Sequence, residues 1–450
     1  MRMKTNIKIG LLAVALCYSL SLEAQTKQWS LEDCIHYAID NNIDLKQLQQ
    51  EQENRSIEMN TSKNSWLPSL NAGLGQNFDF GRSPSKDGVI VDRNSANSSA
   101  YLQLSMPLFD GLKIPNDIAA RTLNLQASVE SLNKAKEDLA VGVASYYLQI
   151  LYNKEIMYIA ELQKALTAEQ VAKTEALVNA GKVPLSQLYD IKAQLAKDEV
   201  SLTDARNNVK LSTLNLAQLL ELERSGTDFD IAAPNLDNVM TGGGGLLAPE
   251  LIYQNAVQVK PQILEQNFLL ESRKKMLKVA QSAYYPQLSL NMSYSNGYYY
   301  YSGGDDVQNV SFSDQVNQNE RKTIGLSLSI PIFNRFQTRN SVRSARVGII
   351  TQELQMENTK KTLYKEIQQA YFNATSAEDK YAASTLSVEA SKEAFSYAEE
   401  RYATGKSTVF EYNESKTKYA QSLSEQAQAK YDYIFRTKIL DFYNGAPIKL

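Results

Sequence analysis

Apolar residues recur along this chain with two different periods, and the changes of period divide it into elements. The spacing is helical over Ser30 to Asn64, Asn116 to Ala180, Leu185 to Arg224, Pro249 to Ala283, Asn334 to Thr404 and Ser407 to Asn444. Four shorter segments alternate with period two instead. In the first, Leu70, Ala72, Leu74, Phe78 and Phe80 alternate with Ser69, Asn71, Gly73, Gly75, Asn77 and Asp79, and only Gln76 interrupts the apolar series. Leu102, Leu104, Met106 and Leu108 repeat the pattern, as do Leu288, Leu290, Met292 and Tyr294, and then Ile324, Leu326, Leu328 and Ile330. This alternation predicts strands near 67–81, 100–109, 286–301 and 323–332.

Two of the helical stretches are unusually long. Asn334 to Thr404 contains no proline and only Gly348, and at 1.5 Å per residue it would span roughly 105 Å; Asn116 to Ala180, with only Gly142, would span about 98 Å. The returning helices, Leu185 to Arg224 and Ser407 to Asn444, reach about 60 and 57 Å, so neither covers its long partner. Adding the helices Asp44 to Asn64 and Pro261 to Ala283, about 32 and 34 Å, makes two stacked short helices equal one long one, as in a tube wall. Along the first return helix Leu188, Leu195, Leu202, Val209 and Leu216 hold a heptad series, with Ile191, Ala205, Ser212 and Leu219 beside them and Asp198 as the exception. Tyr412, Tyr419 and Tyr433 keep the same register in the second, with Gln426 interrupting. So narrow a stripe suits a coiled-coil seam and an ordinary two-helix hairpin equally.

The chain is a tandem duplication. At an offset of 218, Leu31 matches Pro249, Ala38 matches Ala256, Leu45 matches Ile263, and Trp66-Leu67-Pro68 matches Tyr284-Tyr285-Pro286. Farther on the offset becomes 224, so that Pro107 matches Pro331, Tyr147 matches Tyr371 and Gly181 matches Gly405. The repeats are 25–224 and 249–450, joined by a linker, 225–248, that is marked by Pro234 and Gly242 to Gly245. Pro261 should break the opening helix of the second repeat, and Asn41-Asn42 marks the same place in the first.

Each strand has one apolar face and one face of Ser, Asn, Gln and Gly, with aromatics near its ends (Phe78, Phe80, Tyr101, Phe109, Tyr298 to Tyr301), which suits a lipid-facing barrel. The ordinary alternative is a soluble sheet with one face on a core. Four strands cannot close a barrel, and lipid does not tolerate open edges, so other subunits must complete it. A dimer gives eight strands and a filled interior; a trimer gives twelve and leaves room for a lumen. The polar stretches Gly81 to Ser99 and Ser302 to Lys322 would be the external loops.

Composition adds the compartment. Arg2, Lys4 and Lys8, an apolar run from Ile9 to Leu20 and Leu22-Glu23-Ala24 form a secretory signal peptide, 1–24. Cys17 follows the bulky Leu16, which does not suit a lipoprotein anchor. Removing the signal makes a formal net charge of -3 more negative by about two, which leaves no basic footprint for nucleic acid. One cysteine, Cys34, then remains, so an internal disulfide is excluded. The single histidine, His36, is two residues from it and on another helix face, so the pair makes neither a metal site nor a nucleophile dyad. No catalytic constellation or cofactor motif is present, and no apolar run after the signal is long enough for a membrane helix. The reading is a channel, with a periplasmic coiled-coil scaffold or adaptor as the alternative.

Ser30-Leu31-Glu32-Asp33 with Ala38 and Asn41-Asn42, the Leu-Pro and Tyr-Pro strand entries, and the turns Asn179-Ala180-Gly181-Lys182 and Arg401 to Lys406 together resemble the TolC-like outer-membrane efflux family over nearly the whole mature chain. The resemblance implies a mainly α protein with a small antiparallel β part: a homotrimer whose duplicated helix hairpins form a periplasmic tunnel, capped by a 12-stranded barrel in outer-membrane lipid with four strands per chain. It implies a periplasmic adaptor (membrane fusion) protein and an inner-membrane pump as partners. The adaptor would meet the tip at Gly181, Lys182, Gly405 and Lys406, and Tyr402 matches the tyrosine that holds the tip closed. Ser407 and Gln187 stand where the family often places a basic and an acidic residue, so those positions lack the two charges of a lock. Glu411 and Glu414 lie three apart on one helix face, and the resemblance implies an acidic ring at the tunnel entrance; Thr408-x-x-Glu411 also fits a capping box.

Overall fold

The computed structural model describes residues 28–84, 88–222, 229–234, 246–303 and 309–450. The expected signal segment, Cys17 and most of the expected linker lie outside these residues. The main elements are α1 (Leu31–Asn41), α2 (Ile43–Asn64), β1 (Ser69–Asp79), β2 (Asn94–Phe109), α3 (Lys113–Asn179), α4 (Leu185–Leu219), α5 (Pro249–Val259), α6 (Pro261–Ser282), β3 (Gln287–Ser302), α7 (Phe312–Gln318), β4 (Arg321–Ser329), α8 (Gln337–Ala403) and α9 (Val409–Tyr443). The long helices α3 and α8 have 67 residues each, and the return helices α4 and α9 have 35 each.

Local chemistry sets these boundaries. Ser30 and Asp33 close a reciprocal capping box at the start of α1. Asn42 separates α1 from α2, and its side chain accepts from the Leu45 amide at 3.1 Å; in the second repeat Lys260 separates α5 from α6 and Pro261 opens α6. Helix α3 begins at Lys113, earlier than its Pro115 suggests. A proline in the first turn forfeits no intrahelical bond, and the Asp110 carboxylate accepts from the Lys113 and Ile114 amides at 3.1 and 2.7 Å.

The duplication is written in the backbone. Left-handed residues occur in matching pairs at the offset of 224: Gly111 and Leu112 with Arg335 and Phe336, Gly181 with Gly405, and Glu221 with Gly445. The first pairing turns each strand into its long helix. The others end α3, α4, α8 and α9 in the paired backbone bonds of a Schellman motif, for instance Lys182 N to Leu177 O and Lys406 N to Arg401 O.

The four main strands form one antiparallel sheet in the order β1-β2-β3-β4. Its register puts Leu70, Leu104, Leu290 and Leu326 in neighbouring columns of one face, and Asn71, Gln103, Ser293 and Thr323 on the other. The apolar face is bare: Leu74 is 88 % exposed and Ile324 74 %. The polar face has no charged residue between Asp79 and Arg321, which lie at strand ends. Strand β2 starts at Asn94 rather than near 100, because Asn94 to Ala100 lack apolar alternation yet still pair with β3. The stretch expected as the polar loop 302–322 contains α7, capped by Ser311, whose Oγ accepts from Asp314 N at 3.2 Å.

The chain forms two compact units, each drawing on both repeats. Of the described residues, the first comprises those within 28–47, 132–260 and 360–450, and the second those within 48–131 and 261–359. The first is built on a buried cluster that includes Leu31, Cys34, Ala38, Val143, Tyr147, Leu216, Ile231 and Ile434. Gln28 and Trp29 pair in parallel with Asp230 and Ile231 at its edge, and the Tyr147 hydroxyl bonds the Ala232 carbonyl at 2.6 Å. The second unit contains the sheet. There Ser62 donates to Asp117 at 2.7 Å and Arg121 pairs with Glu58 at 2.9 Å, tying α2 to the start of α3.

Candidate functional site

Both hairpin turns belong to the first unit, and of the residues singled out there Tyr402 joins a cluster shared by the two hairpins. Val178 at the end of α3, Leu188 and Ile191 on α4, and Val409 on α9 form a small apolar cluster, and Tyr402 of α8 packs on it with Val171. Tyr402 also lies against Tyr412, ring centroids 5.2 Å apart, and Phe395 extends the stack to Tyr412 and Tyr419 at 5.6 and 5.8 Å. Burial pushes the Tyr412 hydroxyl up to about 12. Tyr402 therefore contributes packing between hairpins.

Gly181 and Gly405 sit at the turns with φ of +67° and +72°, and a Cβ on either would meet nothing within 4 Å. Their neighbours Lys182 and Lys406 are exposed. The turns thus present two cations on open surface.

Glu411 and Glu414 are not equivalent. The Glu411 carboxylate completes a capping box, accepting from the Thr408 amide at 3.3 Å and from the Ser407 hydroxyl, while Thr408 Oγ1 accepts from Glu411 N at 3.2 Å. The Ser407 bond, then the Thr408 amide, and also the Arg401 guanidinium 3.8 Å away, hold its carboxyl below the usual carboxylate range. Glu414 pairs with Lys418 at 2.8 Å one turn along α9. Both carboxylates are exposed.

Beneath this tip lies a buried polar cluster that sequence reasoning missed. The Lys416 ammonium, 1 % exposed, bonds the Asp198 carboxylate at 3.0 Å and the Thr167 hydroxyl, which also bonds Asp198. Gln194 donates to the other Asp198 oxygen at 2.8 Å. Asp198 is therefore no interruption of the α4 stripe: it is buried with the stripe and neutralised by a lysine from α9. The signal was available in the spacing, because Lys416 falls four after Tyr412 and three before Tyr419, on the same face. In the other repeat Ser391 and Ser422 stand where Thr167 and Asp198 do, their hydroxyls 2.5 Å apart.

Cys34 is fully buried and His36 is exposed, so they do not converge. Burial, then the Asp33 charge, pushes the thiol up to about 12. Among the described residues no group of His, Cys, Asp and Glu is arranged to hold a metal.

The model of the family described as "Outer membrane efflux protein" matches residues 34–221 and 252–442, one match in each repeat. The chain belongs to the outer membrane efflux protein family. Among curated relatives it is 22 % identical to "Outer membrane protein TolC" of Escherichia coli K12, over 84 % of this chain and 74 % of that one. It is also 22 % identical to "Alkaline protease secretion protein AprF" of Pseudomonas aeruginosa, over 92 % and 84 %. Among solved structures it resembles CusC, with a TM-score of 0.76 at 17 % identity over 95 % of both chains. The Campylobacter jejuni CmeC outer membrane channel gives 0.72 at 18 % identity, over 93 % and 87 %. Outer membrane efflux proteins are channels of the outer membrane.

Proposed function

We propose that this efflux-family protein is the outer-membrane channel of a tripartite efflux or type I secretion system, conducting substrates from a periplasmic pump to the exterior. One observation supports the reading above others: a four-stranded sheet with an uncovered apolar face and two unpaired edges, those of β1 and β4. Such a sheet is stable in lipid only when its edges are closed. Three copies would close it as a 12-stranded barrel, with β4 of one copy pairing β1 of the next, and the helices of the two repeats, 25–224 and 249–450, would form the periplasmic tunnel.

The tip is the contact for a periplasmic adaptor, through Gly181, Lys182, Gly405 and Lys406. Tyr402 is the gate residue, and six carboxylates from Glu411 and Glu414 form the entrance ring in the trimer. The capping bonds hold Glu411 ionised and fixed, which suits a ring member better than a free side chain would.

Membrane fractionation and mass measurement in detergent test the assembly. Extraction needs detergent and the particle contains three chains; release by salt alone would favour the soluble scaffold, and a stable monomer or dimer would exclude the barrel. Single-channel recording tests the ring: Glu411→Ala with Glu414→Ala lowers cation preference if the ring acts, and an unchanged preference in an intact trimer rejects it.

A further inference from the structure

Strand β3 outruns its partner. Pairing with β2 continues to Ser302, whereas pairing with β4 stops at Ser295 opposite Arg321. Along an antiparallel strand, successive residues turn their backbone N–H and C=O groups to opposite neighbours. Gly297, Tyr299 and Tyr301 lie beyond the last rung with β4, so backbone groups on that side of them should present an open edge.

They do not, because three side-chain amides replace the missing strand. Asn319 Nδ2 donates to the Gly297 carbonyl at 2.6 Å. Gln315 accepts from Tyr299 N at 2.9 Å and donates to Tyr299 O at 2.8 Å. Asn309 does the same for Tyr301, at 2.9 and 2.8 Å. A carboxamide sets an N–H donor beside a carbonyl acceptor, the same one donor and one acceptor that a strand backbone offers at each rung, and has a second N–H left over. Gln315 is itself buried, and its second hydrogen goes to the Val310 carbonyl at 2.9 Å. Helix α7 holds the reagent in place: Asn296 donates to the Val316 carbonyl at 2.6 Å, and the Phe312 ring packs edge-on to Tyr298 at 5.3 Å.

We propose that residues 309–319 are an edge cap that keeps another copy of this chain from pairing with the upper edge of β3, so that β4 is the only edge on that side open to a neighbour. The mistake it prevents is concrete. Strand β1 runs as high as Asp79, whose rung passes through Ser95 to Tyr301, so a neighbour's β1 is long enough to reach the exposed part of β3. The inference rests on the three-copy reading for the identity of the neighbour.

The test uses the full chain in detergent, with hydrogen exchange resolved at Tyr299, Tyr301 and Ser293, the last being paired to Thr323. The wild type should protect Tyr299 and Tyr301 to within about tenfold of Ser293. Gln315→Met should speed exchange at Tyr299 about tenfold, leave Ser293 unchanged, and broaden the size distribution beyond three copies. Wild-type Tyr299 and Tyr301 amides that exchange as fast as Gly303 overturn the cap without any variant. A Gln315→Met, Asn309→Ala, Asn319→Ala triple variant that assembles as uniformly as the wild type overturns its role in assembly. Protected amides in a wild-type protein that is not a trimer would reject the trimer and leave the cap standing.

Discussion

Removing Lys416 from the buried cluster beneath the tip should loosen the contact of α9 with α3 and α4. Lys416→Met leaves the Asp198 carboxylate with the Gln194 amide and the Thr167 hydroxyl but no positive charge, at a site where both charged partners are almost wholly buried. Stripping one partner from a buried ion pair costs about 3–5 kcal/mol, because the remaining charge keeps its desolvation penalty. If α4 around Asp198 opens locally, 3 kcal/mol raises amide exchange there on the order of a hundredfold. Hydrogen exchange over residues 194–202 and 412–420 is the assay. The other repeat suggests the control, since Ser422 stands there where Asp198 does. Asp198→Ser combined with Lys416→Leu removes both charges and should return exchange to within about tenfold of the wild type, as replacing a whole pair is far cheaper than breaking it. If Lys416→Met changes exchange by less than about twofold, the pair does not hold these helices and the reasoning from burial fails.

Gly111→Ala should cost more than Gly181→Ala. Both force a side chain into the left-handed region, about 1–2 kcal/mol, but only at Gly111 does the new Cβ strike a carbonyl, Ser282 O at 2.6 Å, so denaturant midpoints should separate the two variants. Cys34 should be inert to maleimide in the folded protein and react once unfolded. Its thiol, pushed up to about 12 from an ordinary 9, should carry a thiolate fraction lower by about a thousandfold at pH 8; the raised value also means that this group's contribution to stability is full below pH 9 and is lost as pH rises toward 12. Glu411 has the opposite sign. Its carboxyl is depressed on folding, so the capping bonds stabilise the start of α9 above the ordinary carboxylate pKa and are lost as pH falls through the folded value; Glu411→Gln should abolish that acid dependence in exchange measured at 409–412.

The strands and the duplication were legible because each rests on a strict period. A side chain that alternates faces has no choice once one face is apolar, and Leu70, Leu104, Leu290 and Leu326 share a face in the paired sheet as their spacing requires. The helix break before Pro261 was legible for a covalent reason, the missing N–H. What escaped depends on partners distant in sequence. Asp198 looked like an error in a heptad until Lys416 lay against it, and Asn309, Gln315 and Asn319 looked like ordinary loop polarity. Their meaning comes from backbone groups of β3 that only the strand register exposes. Glu411 fell between the two: its cap could be read locally, whereas membership of a ring depends on neighbouring copies.

The polar face of the sheet, free of charged residues between Asp79 and Arg321, has an electrical consequence. A pore wall of hydroxyls and amides attracts no excess counterions, so ions inside the proposed barrel would be as concentrated as in the bathing solution. Its contribution to conductance should then rise in proportion to bulk salt, even at millimolar concentrations, where the Debye length is tens of ångströms and a charged wall would dominate. If the proposed ring of Glu411 and Glu414 acts, saturation of conductance at low salt should appear in the wild type and be lost in the Glu411→Ala, Glu414→Ala variant, so a salt titration of single-channel current tests wall and ring separately.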